Sequence, residues 1–337
     1  MSEKKDLLET MVSEGIKRII IIHHDDNDGL VGARMLYDWM YPKFETIIML
    51  KCDYRDTRAD WDSIIDNIHN SGRTVVFITD YNFPYEEAKK FENEPNCDMV
   101  FWRDHHKSAV PELDKILAHN FTKVNGIVDM KSSGTKLCYE MVMEEGVNSC
   151  PEYMSSPHVK KLVDLVWCYD INADPSNLDG WYLNAFTYKA MMNDVDSKML
   201  SDLLYDESCF KRALRIGKRF YELNAEVNEL MYYAFAKVCT FEGHRICIRE
   251  GRGSSYSFGA HIKEYDAVAM YSKLRSGEWT ISLFSDKPDF DGEPIATKYG
   301  GGGHAHACGW RSCFNPFADL ECIPVDEDVA RRMKNEH

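Results

Sequence analysis

No apolar run in this 337-residue chain is long enough to cross a bilayer, so no membrane partner is expected. The amino-terminal stretch MSEKKDLLETMVSEG is polar and helix-like, and it lacks the apolar core of a secretory leader. The 11 cysteines form no regular framework. Without an export signal they are expected as reduced thiols in a cytoplasmic protein. Positive charge is scarce: 40 Lys and Arg stand against 55 Asp and Glu, for a net charge of −15. A protein that grips long duplex nucleic acid carries a basic face, so that partner is excluded and a short phosphate substrate is favoured. Internal repeats and low-complexity segments are also missing. What remains is an ordinary globular composition, 44% hydrophobic and 28% charged, at a length that suggests two domains.

Short β-branched runs alternate with amphipathic stretches in the first half. Strands are expected at 17–24 (KRIIIIHH), 46–52 (TIIMLKC), 73–79 (RTVVFIT) and 98–103 (DMVFWR). Helices are expected at 29–40, 58–70 and 84–91. This order predicts a doubly wound parallel sheet, an α/β fold. Helices follow at 132–145, 158–169, 181–192 and 200–236. From 237 onward, strands at 237–241, 245–249, 267–273 and 279–284 and glycine-rich stretches at 251–259 and 300–309 mark a smaller α+β domain. The expected division is a first domain at 1–195, a helical linker at 196–236 and a second domain at 237–337. The charged residues at 326–337 read as a frayed helix.

Three of the four early strands end in Asp or His. The first runs into His23, His24, Asp25, Asp26 and Asp28; the third ends at Asp80; the fourth ends at Asp104, His105 and His106. Carboxyl ends of parallel strands lie along one edge, where ligand-binding groups converge. Alternate residues of an extended segment face one way, which would turn His24, Asp26 and Asp28 inward and Asp25 and Asn27 outward. Carboxylates with one or two imidazoles suit Mn²⁺ or Mg²⁺, with Zn²⁺ or Fe²⁺ as other fits. The plain alternative is a solvated loop whose acids cap a helix. Taken singly, Asp80 reads as a turn residue and Asp170 as a helix-end residue.

The motifs HHDDNDG at 23–29, Asp80, DHH at 104–106 and Asp170 resemble the four motifs of the DHH phosphoesterase superfamily. GGGHAHACG at 301–309 resembles the signature of that family's DHH-associated carboxyl-terminal domain. The resemblance implies a dinuclear site for two divalent ions, Mn²⁺ first, with Mg²⁺ or Co²⁺ as substitutes. His24 and Asp26 would hold one ion, Asp28, His105 and Asp170 the other, and Asp80 would bridge them. Asp104 would orient a neighbouring histidine, and His106 would contact the scissile phosphate or assist the leaving group. The family commonly has an arginine in a Ser-Leu-Arg-Ser segment; here Ser282-Leu283-Phe284-Ser285 stands in its place.

Successive glycines let a backbone approach a phosphate, so Gly301, Gly302, Gly303 and His304 are candidate substrate contacts. A tight turn between a helix at 293–299 and a strand at 308–311 is the alternative, and a zinc site from His304, His306, Cys308 and Cys313 a remoter one. Arg252 and Arg311 are candidates to replace the absent arginine. Phe284 suits either a stacked base or the core. The resemblance implies a metal-dependent phosphodiesterase that cleaves short oligonucleotides or dinucleotides by two-metal water attack in a cleft between the domains. Alternatives are a cyclic-dinucleotide or 3′-phosphoadenosine 5′-phosphate hydrolase, an inorganic pyrophosphatase or polyphosphatase, and a non-catalytic nucleotide-binding regulator. A homodimer is a further expectation.

Overall fold

A computed structural model describes residues 6–54, 58–174, 176–189 and 197–328. Two compact units divide it, Met1–Phe220 and Tyr221–His337. The first begins with α1 (Leu7–Ser13), β1 (Arg18–His24), α2 (Asn27–Met40), β2 (Thr46–Cys52), α3 (Trp61–Ser71) and β3 (Thr74–Thr79). It continues with α4 (Tyr85–Asn93), β4 (Cys97–Asp104), α5 (Val110–Ala118), β5 (Val124–Val128) and α6 (Gly134–Glu145). Helices α7 (Pro157–Asp170), α8 (Leu178–Lys189), α9 (Lys198–Tyr205) and α10 (Glu207–Phe235) follow, and the division between units falls inside α10.

The five strands pair in parallel in the order β2-β1-β3-β4-β5. The isoleucines of β1 explain its central place. Ile19 and Ile21 pack into the layer that contains α2, α6 and α7, while Ile20 and Ile22 pack into the layer of α3, α4 and α5. A strand buried on both faces must be apolar at every position, so an uninterrupted run reads as a central parallel strand. The sheet is doubly wound, as expected. The chain moves outward from β1 to β2, then returns to place β3 on the other side of β1. That reversal opens a crevice beyond the carboxyl ends of β1 and β3.

Two elements between His106 and Asp129, α5 and β5, carried no sequence expectation. Strand β5 is short, lies at the sheet edge and alternates half-buried with exposed residues, so it lacks an apolar run. The helix expected at 200–236 is two helices. Asp206 breaks it, and its carboxylate accepts the backbone N–H of Ser208 at 2.7 Å. Part of the expected 181–192 helix, the 195/196 boundary and most of 326–337 lie outside the described residues.

The second unit holds a seven-stranded sheet, β10-β11-β9-β8-β7-β6-β12. Its elements are β6 (Lys237–Phe241), β7 (His244–Glu250), β8 (Ala267–Lys273), β9 (Trp279–Phe284), α11 (Glu293–Lys298), β10 (Gly302–His304), β11 (Ala307–Ser312) and β12 (Ile323–Pro324). Among the described residues of this sheet, only β7 and β8 pair in parallel; a 3-10 segment at Ser255–Glu264 makes their crossover. All 11 cysteines are free. Among the described residues no helix is long and apolar enough to cross a membrane.

Trp102 of β4 is fully buried, and its Nε1 donates to the carbonyl of Tyr81 at 3.0 Å. Its ring sits edge-on to Phe83 at 5.8 Å. Trp102→Ala is expected to cost about 3–5 kcal/mol, from lost burial and the cavity left behind. Urea unfolding followed by circular dichroism measures this directly.

Candidate metal centre

Beyond the carboxyl edge of the first sheet, the loops gather five carboxylates and three imidazoles. His24, Asp26 and Asp80 offer ligand atoms within 4.8 Å of one another, and so do Asp28, His105 and Asp170. Asp80 belongs to the first group and contacts His105 of the second. Its Oδ2 lies 3.5 Å from His24 Nδ1, and its Oδ1 lies 3.0 Å from His105 Nε2. The six residues named from the sequence as candidate ligands thus lie in one cluster.

The way they are aimed differs from the expectation. His24 ends β1, but Asp26 is the N-cap of α2 and Asp28 lies in the first turn of that helix. Alternation along an extended segment therefore does not operate past Asp25. The strand-to-helix corner does the aiming instead. Asp26 Oδ1 accepts the N–H of Gly29 at 3.0 Å, which leaves Oδ2 to meet His24 Nδ1 at 2.8 Å. Gly29 permits the corner, since a Cβ there would come 2.5 Å from the His24 carbonyl oxygen. Asp25 points away, 3.4 Å from Lys51, as expected. Asn27 is half-buried rather than outward, and its amide donates to Asn184 at 2.6 Å. His23 is buried with Nδ1 against the carbonyl of His24 at 2.8 Å. Of the two vicinal histidines, His24 is thus the one in the cluster.

Asp80 is neither an N-cap nor an ordinary turn residue. It leaves β3 with φ of +56°, a left-handed conformation uncommon outside glycine. Such strain marks places where the surrounding structure holds a side chain in one direction. Asp170 closes α7. A carboxylate at the negative end of a helix dipole does not cap it, so this acid needs a cation nearby. His105 supplies part of that charge, with Nε2 3.2 Å from Asp170 Oδ2 and 3.7 Å from Asp28 Oδ2.

Asp104 is fully buried, and its Oδ1 accepts from the backbone of His105 at 2.7 Å, the backbone of His106 at 3.2 Å and Nδ1 of His106 at 2.7 Å. It therefore fixes which ring nitrogen of His106 points away from it. Sequence reasoning missed the support for Asp28. The amino end of α6 delivers two backbone N–H groups to that carboxylate, from Gly134 at 2.5 Å and Thr135 at 3.0 Å. A Cβ on Gly134 would lie 2.6 Å from Asp80 Cβ and 3.0 Å from Asp28 Oδ2, so only glycine fits. The signal in the sequence was the small-residue run Ser132-Ser133-Gly134-Thr135, which reads on its own as a helix start.

The electrostatics follow from burial and crowding. Burial, then the Asp80 charge, pushes the Asp28 carboxyl up to about 7. Burial likewise holds Asp170 well above its usual range, helped by Asp28. Burial alone would lower the His105 pKa, but the bond to Asp80 and the Asp170 charge raise it to about 11. His24 and His106 are raised against the same penalty, by Asp26 and Asp104 respectively. Buried oxygens of Asp80, Asp104 and Asp170 accept no hydrogen bond. Buried polar atoms are normally satisfied, so acceptors left over among crowded carboxylates fit divalent cations.

The glycine-rich segment of the second unit is a β-hairpin rather than a turn between helix and strand. Strand β10 pairs antiparallel with β11, and His304 lies opposite Ala307. Gly303 has φ of +133°, and a Cβ on Gly301 would come 2.0 Å from the Gly309 carbonyl oxygen. These two glycines are required by strand packing; Gly302 faces open space. Arg311 lies on β11, 3.5 Å from Glu278, and Arg252 is exposed in the loop after β7. Phe284 pairs with Val268 and Ala307 and packs against the core. Among the described residues, His304, His306, Cys308 and Cys313 form no ligand group.

Metal binding should be pH-dependent in a definite direction. A carboxyl or imidazole whose folded pKa is raised favours the fold below its unfolded value and loses that contribution as pH rises through the folded one. For Asp28 this window runs from 3.8 to about 7, and for His105 from 6.5 to about 11. The metal-free protein therefore sheds stability across this range, while ligands must shed protons to bind a cation. Mn²⁺ is expected to raise the melting temperature more at pH 8 than at pH 6, as read by differential scanning fluorimetry.

No family model matches the chain. An uncharacterized protein, R106, of Acanthamoeba polyphaga mimivirus is 21% identical over 325 residues, covering 92% of this chain and 70% of that protein. An exopolyphosphatase-related protein from Bacteroides fragilis superposes with a TM-score of 0.50 at 14% identity, covering 90% of each chain. RecJ from Thermus thermophilus, in complex with Mn²⁺, gives 0.48 at 14% identity over 91% of this chain and 51% of that one. At such identities it is architecture that is shared. The chain shares its fold with the exopolyphosphatase-related protein: here, a five-stranded parallel sheet in the order 2-1-3-4-5 and a mixed second sheet.

Proposed function

We propose that this protein is a divalent-metal-dependent phosphodiesterase acting on dinucleotides or short oligonucleotides. The observation that carries the reading is the pair of donor groups, His24–Asp26–Asp80 and Asp28–His105–Asp170, which meet where Asp80 Oδ1 lies 3.0 Å from His105 Nε2, at the crevice beyond β1 and β3. His24, Asp26 and Asp80 would hold one cation, and Asp28, His105, Asp170 and Asp80 the second. Carboxylate oxygens with imidazole nitrogens suit Mn²⁺, and Mg²⁺ or Co²⁺ would serve the same donors. Held by these residues, two such ions would supply Lewis-acid chemistry, lowering the pKa of a bound water and balancing the charge of the phosphate.

The protein's own groups supply the rest. Asp104 anchors Nδ1 of His106 at 2.7 Å, so the far nitrogen of that ring is directed away from Asp104. The Asp104 charge overcomes burial and raises the His106 pKa. A protonated imidazole held in this way is suited to donate to the phosphoryl or leaving oxygen. In the second unit, His304 and the open backbone at Gly302 would bind a terminal phosphate, with Arg252 and Arg311 replacing the arginine that Phe284 displaces. The net charge of −15 disfavours long polyanions and supports a short substrate.

The direct test is a product assay with Mn²⁺ across pApA, longer oligoribonucleotides, cyclic dinucleotide, 3′-phosphoadenosine 5′-phosphate and pyrophosphate. Turnover of pApA is expected; turnover of pyrophosphate alone would replace the reading by an inorganic phosphatase. Asp80→Ala and His105→Ala should each reduce Mn²⁺-dependent hydrolysis by about three orders of magnitude or more, with the circular dichroism spectrum unchanged. Near-normal turnover in either variant would sink the two-ion arrangement. His304→Ala should raise KM for pApA while leaving hydrolysis of a nitrophenyl phosphodiester near the wild-type rate. Equal losses on the two substrates would give His304 a structural or catalytic role instead.

A further inference from the structure

Beside the metal centre stands an aromatic wall that the proposed chemistry does not use. Trp61 leads to Tyr81 at 6.2 Å between ring centroids, and Tyr81 leads to Tyr54 at 4.7 Å with only 11° between the ring planes. Trp61 packs against the core and Tyr81 is buried, but Tyr54 is 39% exposed. The rest of Tyr54 is held in place. Its phenol oxygen accepts the backbone N–H of Asn82 at 2.7 Å. Its ring lies 5.3 Å from that of His24 and 6.1 Å from that of His106. Burial and the Asp104 charge keep the phenol protonated and the ring neutral.

Tyr81 stacks on one face of the Tyr54 ring, and more than a third of the residue stays exposed beside Asp80 and Asp104, open to an occupant. A planar ring that covers it gains stacking area without a new charge to desolvate. Aromatic rings prefer such offset-parallel partners, and every nucleobase has a face to offer. Because Tyr54 is fixed in advance, little conformational entropy is lost when a ring settles on it.

We propose that Tyr54 is a specificity residue: its ring, stacked on Tyr81 on one side, stacks a nucleobase of the substrate on the other, so that the site favours phosphates flanked by a nucleoside over inorganic ones. This rests on the phosphodiesterase reading above and narrows its substrate class. Tyr54 sets how the substrate is seated beside His24 and His106 and takes no part in bond breaking.

The test compares pApA with an abasic counterpart that keeps sugar and phosphates, each assayed with Mn²⁺. Tyr54→Ala should raise KM for pApA about tenfold to a hundredfold, the range that base–aromatic stacking supplies, with a smaller change in kcat. The abasic compound should lose little, and Tyr54→Trp should restore KM for pApA. The melting shift caused by Mn²⁺ should be the same in Tyr54→Ala as in the wild type. Equal losses on both substrates, or a lost melting shift, would make Tyr54 a buttress for His24 and His106 and overturn the proposal. So would an unchanged KM. A wild type that cleaves pApA and the abasic compound equally well overturns the stacking proposal alone; a wild type that cleaves no phosphoester overturns the functional reading and the proposal together.

Discussion

Mutual repulsion among Asp26, Asp28, Asp80, Asp104 and Asp170 is the constraint that the first unit is built to contain. Each is on a different kind of support: a helix N-cap, a first helical turn, a strained strand end, a strand terminus and a helix end. The fold offsets the repulsion in two ways. His105 stands between Asp28, Asp80 and Asp170. Backbone N–H groups of α6 and of the residues after β4 are given over to Asp28 and Asp104. What repulsion remains shows in the raised pKa values of Asp28 and Asp170.

The sheet topology explains why this is possible at one place. Helices α2 and α6 start from the same edge where β1, β3 and β4 end, so donor side chains and helical N–H groups face one another across the crevice. An antiparallel arrangement of the same strands would send half of these loops to the opposite edge. The parallel order thus supplies the site, and the apolar runs that define the order also fix where the acids emerge.

Much of this was legible beforehand. The strands at 46–52, 237–241, 267–273 and 279–284 coincide with the observed ones, because period and composition leave little choice there. Five of the clustered residues, His24, Asp26, Asp28, Asp80 and His105, were also legible at or just beyond strand ends, whereas Asp170, at the end of a helix, came only from the resemblance. The direction of individual side chains was not legible. Whether Asp26 continued a strand or capped a helix depends on the Gly29 contact with His24, which no local pattern encodes. Strand β5 escaped because an edge strand need not be apolar. Gly134 escaped because its partners are more than 50 residues away in sequence. The hairpin at β10 escaped because glycine runs look alike whether they meet a phosphate or another strand.

Gly134 has a wider consequence. Its bare α-carbon touches Asp80 on one side and Asp28 on the other, the residues that anchor the two donor groups. The gap between those groups is therefore gauged by main chain, not by adjustable side chains. A ruler made of backbone has no rotamers, so how near Asp80 and Asp28 come to each other is bounded by where α6 docks.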